Sequence, residues 1–310
     1  METPEGVIGY TVEDGAQIRI TDYSGTDTEV QVPERIEGIP VKIIAKKTFL
    51  SRKQLRKVVL PESVEEIGDW TFAYCTNLEN VWLPKKEMKL GNRIFMECPA
   101  VRRIYAYESK TGGDIGGKQA NGDSRDVKNQ QAALLAAGAG MLDTEYLMNP
   151  LEAGTEEWIC KWDAKMNMVM DEEDGEGYTK MILCGEEDFG SSLEEFVKNK
   201  RKGKVRLALL RLMNPIGLAK ETEEKLKAYL VAHTKGCGSE ESWEVLLGEH
   251  GHEQEYFEKF ADIGGITEDN FDAVLSDMSG EYAEMKAFLI RYKSEKMENR
   301  DFFDGLSLDI

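Results

Sequence analysis

The chain has 310 residues, 41% hydrophobic and 31% charged with only eight prolines, a globular composition with room for more than one core. Its formal net charge of −19 argues against nucleic acid or anionic membrane as partner and favours solubility or a basic partner. No stretch approaches the roughly 20 apolar residues that cross a bilayer.

The charge is uneven: residues 1–110 carry 16 Lys+Arg and 17 Asp+Glu, and the remainder carries 23 and 41. A near-neutral front and an acidic back suggest two units with different surfaces. The five cysteines, Cys75, Cys98, Cys160, Cys184 and Cys237, are odd in number and never spaced Cys-x-x-Cys. Reduced thiols are therefore expected, not a disulfide framework or a zinc ribbon. The opening METPEGVIGYTVEDG has neither a basic head nor an apolar core, so no secretory signal is visible and a cytoplasmic location is expected.

The front half repeats itself. Leu55, Leu78 and Val101 recur every 23 residues, as do Val58, Val81 and Ile104, and Phe49, Phe72 and Phe95. Pro61/Pro84, Gly68/Gly91 and Cys75/Cys98 pair at the same interval. A period of this size with Leu-x-x-Leu-x-Leu spacing predicts a leucine-rich solenoid, in which each turn lays down a short strand and must stack on its neighbours to bury its apolar face. The segment VQVPERIEGIPVKIIAKKTF, Val30 to Phe49, extends the array upstream with five residues inserted. For Cys75 and Cys98, strands stacked about 4.8 Å apart leave two readings: a ladder of buried thiols, or a conceivable disulfide.

These segments resemble the BspA-like leucine-rich repeat family, whose turns follow L-x-x-V-x-[IL]-P-x-x-V-x-x-I-G-x-x-[AT]-F-x-x-C. The lead-in from Ile20 to Ile44 is similar to the opening of many bacterial relatives, and the resemblance covers roughly residues 7–107. It implies a curved β-solenoid that binds other molecules, with no catalytic residues to carry over. Many relatives are exported, whereas the absence of a visible export signal leads to the expectation that this chain departs from them.

Residues alternate faces along each predicted strand. Val58, Leu60, Val81, Leu83 and Ile104 point inward, so their neighbours point outward. Stacking by 23 then aligns Val59, Trp82 and Tyr105 in one ladder and Lys57, Asn80 and Arg103 in another, extended by Gln31 and Glu29 once the insertion is removed. An aromatic pair beside a basic rail is the residue chemistry of recognition hot spots. These six residues are the candidate binding site. Two alternatives stay open: Trp82 and Tyr105 dock the helical half, or they only stack on each other.

ESKTGGDIGGKQANGDSRD, residues 108–126, reads as a Gly-rich linker. VKNQQAALLAAGAGML then predicts the first helix of a second domain, with Val127 at its start. The stretch 156–190 mixes apolar runs with the acidic turn DEEDGEG. That turn lacks the Gly and Glu placement of a calcium loop and reads as a solvated turn. From Ser192 onward helices follow in short succession: SLEEFVKNKRKGKVRLALLRLMNP ending at Pro215, then TEEKLKAYLVAH with Thr222 as cap, SEESWEVLLGEHG starting at Ser239, and HEQEYFEKFADIGG stopping at its glycines. TEDNFDAVLSDM and GEYAEMKAFLIRYKSEK form a facing pair through Phe271, Val274, Leu275, Tyr282, Met285 and Leu289. This last part resembles the ankyrin-like helical tails of some bacterial repeat proteins, which implies a further interaction scaffold. The basic run KNKRKGKVR, Lys198–Arg206, is expected to pair with neighbouring carboxylates.

Chemistry finds little support. There is no Gly-x-Ser-x-Gly elbow, no phosphate loop and no dinucleotide fingerprint. His233, Cys237, His250 and His252 are the one set that zinc could take, although two of the histidines lie on apolar helix faces. The expected protein is thus α+β and multidomain: a leucine-rich β-solenoid over 1–107, a linker over 108–126, and an acidic all-α domain of antiparallel helix pairs over 127–310. Its expected role is a non-catalytic scaffold without cofactor, binding a protein partner. A regulatory or enzymatic domain seated around 156–190 and an acidic inhibitor or immunity-type protein are the alternatives.

Overall fold

A computed structural model describes residues 2–3, 6–108, 122–142, 144–179 and 192–297. The chain divides into two compact units, Met1–Asn167 with Asn214–Gly217, and Met168–Met213 with Leu218–Ile310.

The first unit opens with β1 (Glu2–Thr3), β2 (Gly6–Glu13) and β3 (Gln17–Gly25). The turn between β2 and β3 puts both Asp14 and Gly15 at positive φ, 50° and 66°, as a tight hairpin requires. The strands β4 (Glu29–Gln31), β5 (Arg35–Ile36), β6 (Ile39–Ile44), β7 (Lys57–Val59), β8 (Glu66–Ile67), β9 (Asn80–Pro84), β10 (Lys89–Leu90) and β11 (Arg103–Tyr107) follow. They form two sheets. One is seven-stranded, in the order β1-β2-β3-β6-β8-β10 with β5 on β6, and the other is parallel, in the order β11-β9-β7-β4. The five inserted residues have a place in this scheme: β5 and β6 pair antiparallel around a turn at Glu37 and Gly38, φ 53° and 82°.

The interior follows the repeat. Val58, Leu60, Val81, Leu83 and Ile104 are all fully buried. Phe49, Phe72 and Phe95 stack ring on ring at centroid distances of 5.2 and 5.4 Å, and Tyr23 extends the stack at 5.4 Å from Phe49. Two repeat glycines are needed because turns approach here too closely for a side chain. A Cβ on Gly68 would sit 2.9 Å from the carbonyl carbon of Ala45, and one on Gly91 would sit 2.5 Å from that of Gly68. The β-solenoid and the helical region after it give the α+β architecture the sequence predicts.

Helix α1 (Gly122–Gly140) corrects the expected domain division. It starts inside the stretch read as a linker, packs along β11, and belongs to the first unit, not to a second domain. Residues 109–121 of that stretch lie outside the described residues. The physical reason is its burial: every residue from Ala132 to Ala137 is buried, so this helix needs apolar cover on several sides. Helix α2 (Glu156–Asp171) buries Trp158 and Trp162, whose indole N–H groups donate to the carbonyls of Leu147 and Leu134 at 3.0 and 2.9 Å.

The second unit holds α3 (Leu193–Met213), α4 (Lys220–Ala232), α5 (Glu241–His250), α6 (Gln254–Asp262), α7 (Glu268–Asp277) and α8 (Ala283–Tyr292). Helix α6 ends where expected, with Gly264 at φ 89°. Phe271, Val274, Met285 and Leu289 of the last pair are buried, while Leu275 and Tyr282 are half-buried. Thr222 is not a cap: α4 starts two residues earlier, with Ala219 at the N-cap, and Thr222 lies in its first turn. Helix α5 likewise begins at Glu241, not at Ser239.

Candidate functional site

The parallel sheet places the predicted ladders in register. Glu29, Lys57, Asn80 and Arg103 are successive partners across β4, β7, β9 and β11, and so are Gln31, Val59, Trp82 and Tyr105. A sequence offset of 23 becomes lateral adjacency because parallel turns stack without slip.

The side chains on this face are organised among themselves. The Trp82 and Tyr105 rings stack at 4.7 Å and 20°, and the Lys57 ammonium lies 5.2 Å from the Trp82 ring centroid on the neighbouring strand. Lys57 also pairs with Glu29 at 3.1 Å. Tyr105 donates its hydroxyl to Asn129 Oδ1 of α1 at 3.1 Å, which ties the last strand to the helix covering it. Burial raises the Tyr105 phenol above its ordinary value, against the opposing charge of Arg103. Two residues further along, Tyr107 donates to the carbonyl of Leu60 at 2.5 Å, and burial, with Glu34 and Glu62 nearby, pushes its phenol up to about 12.

The six candidates therefore differ in availability. Arg103 is exposed and without an ion pair among the described residues; Lys57, Asn80, Trp82 and Tyr105 are half-buried. Val59 corrects the expectation. It is 6% exposed, covered on the face where it was expected to be displayed, because Trp82 lies beside it in register. Tyr107 and Tyr23 were missed by the sequence reading. Tyr23 stands 26 residues before Phe49, off the repeat interval, and only its aromatic character marks it.

Cys75 and Cys98 are free thiols, each directed at the carbonyl of the phenylalanine one turn back, Phe49 at 3.0 Å and Phe72 at 2.9 Å. Burial pushes them up to about 11 and about 12, so both stay protonated at neutral pH. Cys184 lies outside the described residues.

The histidines are engaged with aromatic rings. His233 stacks on Tyr229 at 4.3 Å, His250 on Tyr256 at 3.7 Å and His252 near Tyr282 at 5.3 Å, while Cys237 is exposed. Among the described residues, no three or more His, Cys, Asp or Glu side chains are gathered to hold a metal ion.

The basic run of α3 grips the acidic turn. Lys204 pairs with Asp174 at 2.8 Å and Arg201 with the same carboxylate at 2.7 Å; Lys200 holds Glu172 at 3.1 Å and donates to the carbonyls of Glu173 and Glu176. Lys198 and Lys202 share Glu244, and Arg206 takes Glu249. These cations are spent inside the second unit, as expected. In the first unit an open depression of about 470 Å³ is lined by Tyr146, Asn149, Glu152, Lys161 and Ala164. Its one cation, Lys161, is already held by Glu152 and Glu157 at 3.3 and 2.9 Å.

Comparison with known proteins agrees with this reading of the solenoid. The BspA type leucine rich repeat region matches residues 31–112 in six copies, which makes this part of the chain a BspA-type leucine-rich repeat. A leucine-rich repeat protein of T. pallidum is 33% identical over 31% of this chain and 46% of its own, with a TM-score of 0.31. A leucine rich cell surface protein of Faecalibacterium prausnitzii is 24% identical over 34% of this chain and 31% of its own, TM-score 0.29. A leucine-rich repeat protein of Bacteroides ovatus is 16% identical over 34% and 36%, TM-score 0.24. The chain spans less than half the length of each of these proteins. No curated protein matches it. The matched repeat region ends at residue 112, so the ankyrin-like character of the helices rests on sequence resemblance alone.

Proposed function

We propose that the chain is a non-catalytic recognition scaffold, and that the outer face of the parallel sheet receives a protein partner. One observation carries the reading: the in-register face sets Trp82 and Tyr105 beside Asn80 and Arg103, with Lys57 and Glu29 holding one end and Asn129 the other. Such bracing lowers the entropy lost when a partner settles on the rings, and aromatic and Arg side chains are the usual anchors of protein interfaces. Leucine-rich repeats are commonly binding scaffolds, and nothing in the face resembles an acid–base or nucleophilic constellation.

The test places a photo-crosslinking amino acid at Asn80 of the full chain in extract of the native cell, with Val7 on β2 as the control position. A discrete protein adduct from Asn80, absent from Val7 and lost when Trp82→Ala and Arg103→Ala are added, is the expected result. Equal labelling at both positions, or an adduct indifferent to the two substitutions, overturns the assignment of this face.

A further inference from the structure

The loops on the far side of the repeat turns carry a feature the strand face does not explain. In each turn two non-glycine residues, four apart, adopt the left-handed conformation: Lys47 and Ser51, Trp70 and Tyr74, Arg93 and Glu97, with φ between 52° and 63°. The fold needs this backbone. Lys47 N–H donates to Asp69 C=O, Trp70 to Asn92, Ser51 to Ala73 and Tyr74 to Met96, at 2.8 to 3.0 Å, so left-handed residues pass the ladder from one turn to the next.

The fold does not need these side chains. Glycine or asparagine takes the left-handed region at least cost, whereas a bulky aromatic is an outlier there. Yet the middle turn spends Trp70 and Tyr74 on it, and leaves them 38% and 43% exposed. Trp70 stands in line between Lys47, whose ammonium lies 4.6 Å from the ring centroid, and Arg93.

Unpaired cations stand on this side, as Arg103 does on the strand face, although many cations of the unit are paired. Arg19, Lys42, Arg52, Arg56, Lys57, Lys85 and Lys89 each have a carboxylate partner. Lys46, Lys47, Lys53 and Arg93 are exposed on the loop side, and no carboxylate among the described residues pairs with them. The surface thus offers exposed aromatic area with Lys47 over Trp70 and further exposed cations on the same loops.

We propose that this loop surface, centred on Trp70 and Tyr74, is a second recognition site, and that it takes an acidic polypeptide segment carrying an apolar or aromatic side chain. The cations fix the sign of the occupant, and the two rings give it an apolar anchor. Asp69 and Glu97, exposed within the same loops, favour a peptide over a nucleic acid. A phosphate backbone brings a negative charge at every step and meets both carboxylates, whereas a peptide places its carboxylates selectively.

The site is separable from the strand face by substitution. Trp70→Asn suits the left-handed backbone and keeps the turn, and Trp82→Ala alters only the other face. Random peptides displayed on phage are selected on the full chain, and the enriched sequences are synthesised with a fluorescent label and titrated by anisotropy. Acidic peptides with an aromatic or large aliphatic residue are expected. Their binding should weaken roughly tenfold or more with Trp70→Asn and with Lys47→Ala/Arg93→Ala, and be unchanged by Trp82→Ala. Selection of basic or neutral peptides only, no enrichment, or binding indifferent to Trp70→Asn would overturn the proposal. So would a single-stranded oligonucleotide that binds as tightly and depends on the same residues, since that marks a general polyanion surface. A concentration-dependent dimer dissolved by Trp70→Asn, measured by sedimentation, would make the occupant a second copy and overturn the foreign segment. Failure of any of these leaves the crosslinking result at Asn80 intact.

Discussion

The stacked rings of the solenoid interior make a graded prediction about its stability. Phe72 has a ring neighbour on each side, Phe49 at 5.2 Å and Phe95 at 5.4 Å, with interplanar angles of 18° and 9°. Phe49 also has two, Tyr23 and Phe72, whereas Phe95 has one among the described residues. Replacing each with leucine removes a similar volume, and a swap of that kind in a core costs up to about 1.5 kcal/mol. Each aromatic pair lost adds about 0.5–1.5 kcal/mol. Phe72→Leu and Phe49→Leu should therefore cost between about 1 and about 4.5 kcal/mol, and Phe95→Leu about 1 kcal/mol less. The chain has two units, so one melting temperature is not a clean readout. Hydrogen-exchange free energies of peptides covering β7 and β9 report the solenoid alone. Equal losses at all three positions would show that the rings act as bulk apolar filling and that the stack has no energy of its own. A loss at Phe49 matching Phe95 instead of Phe72 would tie the cost to position in the array, and would equally refute the reasoning.

Gly91→Ala, whose Cβ would lie 2.5 Å from the Gly68 carbonyl carbon, should cost the solenoid at least about 1–3 kcal/mol by the same exchange measurement. Gly140→Ala, with open space around it, should cost nothing measurable. Iodoacetamide at pH 8 should alkylate the exposed Cys160 and Cys237 of the folded chain and spare Cys75. Because burial raises the folded-state values of Cys75 and Cys98 to about 11 and about 12, their contribution is complete below the unfolded thiol value and is lost as pH rises toward those values. Cys75→Ser/Cys98→Ser should accordingly flatten the alkaline fall in stability between about pH 9 and 12. Burial opposes the charge of Asp174, but hydrogen bonds from Lys204 and Arg201 outweigh it and hold the carboxyl below its usual range. Its stabilisation is therefore present above about pH 4 and is lost as pH falls through the depressed folded value. Asp174→Asn should cost about 3 kcal/mol at neutral pH, because it leaves the buried Lys204 ammonium without its carboxylate, and should reduce the acid sensitivity of α3 in hydrogen exchange.

The solenoid was readable in the sequence because every turn solves the same packing problem. Val58, Val81 and Ile104 fill equivalent places, and their offset of 23 survives as a visible period. Trp82 and Tyr105 could be paired for the same reason, since parallel in-register stacking turns a count of residues into a contact. The basic run was readable as internally paired because it sits among acids and has lysines long enough to reach them. What stayed hidden depends on partners that a local pattern does not name. A helix as apolar as Ala132–Ala137 must be covered, but nothing in its spacing says that α1 lies against β11 or that Trp162 reaches Leu134. Val59 looked displayed because alternation gives only direction, and its neighbour Trp82 decides its exposure. The left-handed residues were hidden more deeply. Lys47, Trp70 and Arg93 carry no glycine or asparagine to signal positive φ, and the demand comes from the adjacent turn.

The two ends of the repeat array are built differently from its middle. The β2–β3 hairpin closes one end and α1, tied through Tyr105 and Asn129, closes the other, while the turn carrying Gly68, Phe72 and Cys75 meets on each side a turn of its own kind. Its neighbours need only what any such turn provides: a ring, a carbonyl for the next thiol, and a bare Cα where the backbones cross. The length of this array is therefore a free variable in a way that its termini are not. A gene that gains or loses one unit of 23 codons in the middle encodes a protein that still closes at both ends, with one rung more or fewer on each outer ladder. Recognition surfaces of different reach can thus arise in single steps, without passing through a misfolded intermediate.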